Sequence, residues 1–266
     1  MKLAAIYNVF DGLELLEKSI NSIRNEVDLI VVVYQEISNF NIKSNINIEK
    51  FLQNIKTIDI IYKYDTDLQL PPHRNELLKR STGCKIALEK KCTHFLHVDC
   101  DELYKEESFK AAKNIICLND YDSTACEIID YYKFEDLQVV NKQPSYVPFI
   151  HKLQKGITKF GENLNYPLLV DSTRKCNPTE KFFLFEKNDL VMHHLSWIRD
   201  DIKIKLLNST ARHSYNHFLD LIVQEFNDFK KGDKLVKLET GLLVPNSLIA
   251  RNINFRFINV ETNIEV

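Results

Sequence analysis

With 266 residues and a formal net charge of -2, the chain is long enough for one large α/β domain or a domain with a satellite, and it lacks the basic surplus of a nucleic-acid binder. A hydrophobic share of 44% against 27% charged residues is ordinary for a globular protein, while only six Gly and seven Pro exclude a linker-rich or repetitive chain. The six cysteines form no CxxC pair, and Asp11 interrupts the apolar start long before membrane or secretory length, so reduced thiols, no transmembrane segment and a cytoplasmic location are expected.

In chain order, Leu3 to Val9 is a continuous apolar run of strand length, and Asn8, Asp11 and Gly12 suit the turn that ends it. Leu13, Leu16, Ile20 and Ile23 then recur at helical spacing. Leu29 to Tyr34 is β-branched and apolar on both faces, as in a strand covered by helices on each side. Ile48, Phe51, Leu52 and Ile55 predict a second helix, and Ile58 to Tyr62 a third strand. Pro71 and Pro72 precede a long helix from about Arg74 to Lys90, and His94 to Val98 is the fourth strand. This alternation predicts an α/β fold with a mainly parallel sheet and right-handed crossovers.

The second half reads less regularly. Ser123 to Asp130 and Lys181 to Glu186 predict strands, with a loop-rich stretch from about Asn141 to Pro178 between them. Ile202, Ile204, Leu206 and Leu207 begin a helix, and Tyr215, Phe218, Leu219, Ile222, Phe226 and Phe229 continue an apolar stripe that Gly232 caps. A mixed, weakly basic polar side makes that stripe core, with peripheral membrane contact as the lesser reading.

Asp-x-Asp alone carries little weight, because 18 Asp in this chain would give about one such pair by chance and there are three. Only Asp99 and Asp101 directly follow a core strand, and in open α/β sheets ligands sit beyond the carboxyl ends of strands. Two carboxylates there could share one hard cation, Mn²⁺ or Mg²⁺, that neutralises the charge developing on a departing diphosphate. Crowded carboxylates also repel, so replacing both is expected to cost little stability. Asp65/Asp67 and Asp120/Asp122 are read as solvated loop or capping residues.

The run Arg80-Ser81-Thr82-Gly83-Cys84-Lys85-Ile86-Ala87, followed by Thr93 to Val98 and Asp99-Cys100-Asp101-Glu102, resembles the core of family-2-like GT-A glycosyltransferases. The opening Ala5 to Phe10 with the Leu13 to Ile23 helix is similar to their first strand, nucleotide-contacting turn and helix. His193-His194-Leu195-Ser196-Trp197 is similar to a His-x-Ser segment in which a downstream histidine completes the metal site. Ser81 departs from the Asn of the pattern, and the likeness covers residues 3 to 103 and the 190 to 210 segment.

The resemblance implies a GT-A fold, with residues 1–103 as the nucleotide-sugar half and 104–266 as the acceptor-side half with C-terminal helices. It implies sugar transfer from a nucleotide-sugar donor, a UDP-sugar first among them, to a glycan acceptor. Tyr7, Asn8, Arg80 and Asp99 would contact the donor, while Asp99, Asp101 and His194 (His193 in reserve) would hold the metal. Asp101 is the central catalytic residue, and Glu135, Asp136, Asp171 and Glu180 are open candidates for the base of an inverting reaction, with Glu180 and Asp136 put forward. Gly83 and Ala87, four apart, are read as small residues that let helix and sheet approach closely.

Cys92, His94, His97 and Cys100 carry zinc-binding groups, but strand alternation puts His97 opposite His94 and Cys100, so no zinc site is expected. No Gly-rich phosphate loop, GxSxG elbow or HExxH helix is present. A sugar nucleotidyltransferase on a similar sheet is the enzymatic alternative, but residues 8–12 lack the lysine or arginine it uses. A catalytically inactive sugar-nucleotide-binding protein is the alternative from another class.

Overall fold

The computed structural model describes residues 1–140, 143–209, 212–213, 215–238, 242–245, 247–248, 257–261 and 264–265. Its first elements are β1 (Leu3–Val9), α1 (Leu13–Ile23), β2 (Leu29–Tyr34), α2 (Ile48–Gln53), β3 (Ile60–Lys63), α3 (Pro72–Glu89) and β4 (His94–Asp99). There follow β5 (Glu102–Leu103), α4 (Glu106–Asn119), β6 (Ser123–Tyr132), β7 (Gln138–Val139), β8 (Tyr146–Lys152), β9 (Lys159–Phe160), β10 (Cys176–Asn177), β11 (Phe182–Leu184) and β12 (Val191–Trp197). The last are α5 (Ile202–Leu207), α6 (Leu219–Asp228), β13 (Leu235–Leu238), β14 (Leu243–Pro245), β15 (Phe257–Glu261) and β16 (Ile264–Glu265). Two compact units form: Met1–Ile128 with Ser145–His193, and Ile129–Pro144 with His194–Val266.

In the first unit, β1 pairs in parallel with β2 and with β4, and β2 pairs in parallel with β3. β8 lies antiparallel to β4 and to β6, while β11 runs parallel to β6. The expected α/β sheet is therefore present, with strand order 3-2-1-4 in its parallel part. All seven residues of β1 are buried because helices cover both faces. Leu3, Ala5, Tyr7 and Val9 join one apolar cluster with α1 and α4, and Ala4 and Ile6 join another with Cys84 and Ala87 of α3. That alternation is the period-2 geometry of a strand.

β8 falls inside the stretch expected to be loop; residues 141 and 142 of that stretch lie outside the described residues. Pro148 hides the strand in the sequence, since proline gives no N–H to a ladder. Pro148 sits opposite Ala125 beside a register shift, where the Thr124 hydroxyl takes over part of the pairing: it accepts from Ile150 N at 3.1 Å and donates to Ile150 O at 3.0 Å. The His193 to Trp197 segment lies in strand β12.

In the second unit, Tyr132, Trp197, Ile202, Leu206, Tyr215, Ile222, Phe226 and Phe229 share one buried cluster. The aromatic stripe read from the sequence therefore packs in this core, with Phe218 partly buried against it; among the described residues no helix is long and apolar enough to cross a membrane. α6 ends at Asp228 with Phe229 as its cap, and Gly232 takes its positive φ of 99° in the turn beyond.

The closeness of α3 to the sheet rests on Gly83, where an added Cβ would lie 2.2 Å from Ile6 Cγ2 and 3.3 Å from Val33 Cγ2. Gly83→Ala is therefore expected to destabilise the protein by about 2 kcal/mol, the overpacking cost exceeding the ~1 kcal/mol that alanine gains in a helix. Urea unfolding checks this, and a Gly83→Ala protein as stable as the parent would mean the contact relaxes freely.

Candidate active site

The strand order turns back between β1 and β4: the chain builds outward from β1 through β2 to β3, then returns to place β4 on the other side of β1. Such a switch point opens a crevice at the carboxyl ends of the strands. Asn8 and Asp99 are register partners there. Strand parity turns Asn8, like Ala4 and Ile6, toward α3, and turns Asp99, like Phe95 and His97, the same way.

α3 answers with charge. Glu76, Lys79, Arg80, Gly83, Cys84 and Ala87 are spaced three and four apart, so the helix face that is small over the sheet becomes ionic at its amino end. Glu76 accepts from Asn8 Nδ2 at 3.1 Å and pairs with Arg80 Nη2 at 3.1 Å and Lys79 Nζ at 3.8 Å. Arg80 Nη2 also reaches Asp99 Oδ1 at 3.2 Å and Oδ2 at 3.3 Å.

The second guanidinium comes from Arg174, at the end of a short 3₁₀ turn, Ser172–Arg174, in which the Asp171 side chain accepts from Thr173 N. Arg174 Nη2 donates to Asp99 Oδ2 at 2.6 Å and to Glu102 Oε1 at 2.5 Å, and Nη1 donates to Glu102 Oε2 at 3.0 Å. Glu102 Oε2 also accepts the Asp99 backbone N–H at 3.1 Å, which closes the Asp99–Glu102 turn onto itself. Asp171 Oδ2 lies 4.0 Å from both Arg80 Nη2 and Arg174 Nε.

Burial by itself would raise the Asp99 carboxyl, but Arg174 and then Arg80 outweigh it and hold the group well below the usual carboxylate range, against a smaller opposing push from Asp101. Burial likewise disfavours charge on both guanidiniums, and Asp99 overrides it at each, with Glu76 supporting Arg80 and Glu102 supporting Arg174. Burial and then the two arginines push the His97 imidazole behind them well below its usual range.

The cluster leaves polar atoms unanswered. Arg80 Nε and Nη1, Asn8 Oδ1 and, at the end of β2, Gln35 Oε1 are buried with no hydrogen-bond partner among the described residues. Such atoms cost about 1–3 kcal/mol each unless water or a ligand meets them.

The expected site residues divide. Asn8, Arg80 and Asp99 converge, with Asp171 beside them. Asp101 follows in the turn after β4 and is 5% exposed. Tyr7 corrects the expectation of a donor contact: it is wholly buried on the opposite face, its hydroxyl 3.1 Å from Ser19 Oγ. Glu180 is exposed in the turn before β11. Asp136 and His194 belong to the second unit, where Asp136 pairs with Lys231 and His194 Nδ1 lies 2.9 Å from Asp130 Oδ1. Asp122 binds Lys152 of β8 at 2.8 Å, and Asp67 accepts from Gln69 N at 2.9 Å within the loop before α3.

A divalent cation does not fit this donor set as it stands. Both Asp99 oxygens and both Glu102 oxygens already accept from guanidinium groups, and among the described residues no three of His, Cys, Asp and Glu are grouped to hold a metal. No motif points to Arg174, which lies in the irregular stretch; the i,i+4 pair Glu76/Arg80 is the signal of an ionic helix end.

Comparison with solved structures finds likeness to the S. aureus TarS 1-349 fragment, with a TM-score of 0.47 and 12% identity over 85% of this chain and 72% of that one. The same fragment in complex with UDP gives 0.46 and 13% over 82% and 72%, and in complex with UDP-GlcNAc 0.47 and 12% over 85% and 72%. No family model matches the chain, and no curated protein does.

The arrangement revises the stability expected of the aspartates. Arg80 and Arg174 side chains are 2% and 4% exposed, so removing the Asp99 charge strands two buried cations. Asp99 itself is 35% exposed, which discounts the full cost of breaking a buried pair. Asp99→Asn is expected to lose about 2 kcal/mol, and Glu102→Gln, whose partner pair is buried on both sides, about 3–5 kcal/mol, by chemical denaturation. Parent-like stability in both would show that water compensates the arginines.

Proposed function

We propose that this protein transfers a sugar from a nucleoside-diphosphate donor to a hydroxyl of a glycan or related acceptor. The observation that carries this reading is the set of unanswered polar atoms on Asn8 and Arg80 at the β1/β4 switch point, held beside an ionised Asp99. A crevice of this kind suits a nucleotide, and guanidinium donors suit its phosphates. The motif resemblance in residues 80–102 supports the same chemistry, with a UDP-sugar as the first donor to try.

In this reading the acceptor oxygen attacks the anomeric carbon, and the bond to the diphosphate breaks with its electron pair leaving on the phosphate oxygen. Arg80 stabilises that charge, as a fixed cation does without reorganising. In an inverting reaction the acceptor proton needs a carboxylate, and Asp171, half exposed next to both arginines, is the candidate we favour over Glu135, Asp136 and Glu180. The metal role assigned by resemblance to Asp99, Asp101 and His194 would require Asp99 to give up an arginine. A nucleotidyltransferase would need a basic residue in the turn after β1, and residues 8–12 have none.

Thermal shift with UDP, GDP and ADP and their sugars tests the reading. A nucleotide at about a hundred times its Kd adds ~2.7 kcal/mol to the folded state, which for a chain this long is a rise of about 5 °C or more. One nucleoside diphosphate should give such a rise and its sugar should be hydrolysed or transferred. No shift with any of them would remove the proposal, and a shift without turnover would leave a binding protein.

A further inference from the structure

Two guanidiniums meet two carboxylates at the end of β4, and they do so unequally. Arg174 is saturated: its Nη2 serves Asp99 and Glu102, its Nη1 serves Glu102 and lies 3.5 Å from the His97 carbonyl, and its Nε faces Asp171. Arg80 is half used: Nη2 takes Asp99 and Glu76, while Nε and both hydrogens of Nη1 meet nothing among the described residues, although Arg80 is 1% exposed.

The charges decide what each can do. Asp99 and Glu102 face Arg80 and Arg174, and the same cluster holds Glu76 against Lys79, Asp171 4.0 Å from both guanidiniums, and Asp101, whose charge pushes on Asp99. A cation approaching Asp99 would find both oxygens already within 3.3 Å of a guanidinium nitrogen and would have to displace one of them. The three N–H donors on Nε and Nη1 of Arg80 are buried and fixed in place, so a phosphate that reaches them meets donors that no other described group uses.

We infer that donor binding in this protein needs no divalent cation on Asp99: Arg174 is the resident counter-ion of Asp99 and Glu102, a positioning residue, and Arg80 supplies the charge that meets the diphosphate. The inference rests on the proposed function and narrows it. It makes a distinctive claim about Arg174, because removing that side chain returns an uncompensated Asp99 to the crevice, and only then does the carboxylate become a cation site.

Calorimetric titration of the whole protein with UDP, GDP and ADP, in excess EDTA and again in Mn²⁺, tests it. The nucleotide that binds should do so with affinities in the two media within about threefold of each other. Arg80→Lys should weaken it about tenfold or more in both, since lysine keeps the charge and loses the planar donors. Arg174→Lys and Arg174→Gln should bind weakly in EDTA and gain affinity with Mn²⁺, a response that a merely structural role would not produce; Arg174→Lys keeps this arm readable if Arg174→Gln fails to fold. Parent binding that vanishes in EDTA and returns with Mn²⁺ would overturn the inference while leaving the transferase reading intact. Binding of no nucleoside diphosphate in either medium would overturn both.

Discussion

The Asp99 carboxylate, shared by two buried arginines, is the interaction on which the site depends. Its strand places it at the edge of the core, where a bare charge is costly, with Asn8 as its register partner on β1. Arg80 comes from a helix and Arg174 from a turn some 75 residues downstream of Asp99, so one carboxylate fixes α3, β4 and the 171–174 segment together. Glu76 extends the network to Asn8 on β1 and thus to the other side of the switch point. The close approach at Gly83 sets how near α3 lies to the sheet and so how far the Arg80 side chain, one turn earlier, reaches beyond it.

Much of this was legible in the amino-acid sequence, for identifiable reasons. β1, β2 and β4 are apolar on both faces, which only a strand covered by helices tolerates, and the double proline at 71 and 72 marks the start of α3. Gly83 and Ala87 announced a tight helix–sheet contact. Other features were legible but misread. Tyr7 and Asn8 are consecutive in a strand and must face opposite sides, so both could not contact one ligand; Asn8, in step with Ala4 and Ile6, is the one that faces α3.

The rest was not in local pattern at all. β8 is interrupted by a proline that a side-chain hydroxyl accommodates, and β12 contains the polar pair His193-His194 in what is strand. Arg174 has no motif; its role exists only once the 171–174 turn is folded against β4. Asp-x-Asp at a strand end reads as a cation site because the sequence shows the carboxylates and conceals the distant arginine. Asp99 is acidic because two arginines favour its ionised form, and the same two arginines occupy its oxygens. A fixed guanidinium pair and a bound metal are alternative answers to one electrostatic demand, and they differ in what they leave open to a ligand.

A crystal structure of the protein grown with a nucleoside diphosphate and Mn²⁺ tests this account most directly. Phosphate oxygens are expected within hydrogen-bond distance of Arg80 Nε or Nη1, between the carboxyl ends of β1 and β4, with Asp99 still held by Arg174. A nucleotide seated outside that crevice, or an Asp99 released from Arg174 and ligating manganese, would contradict it.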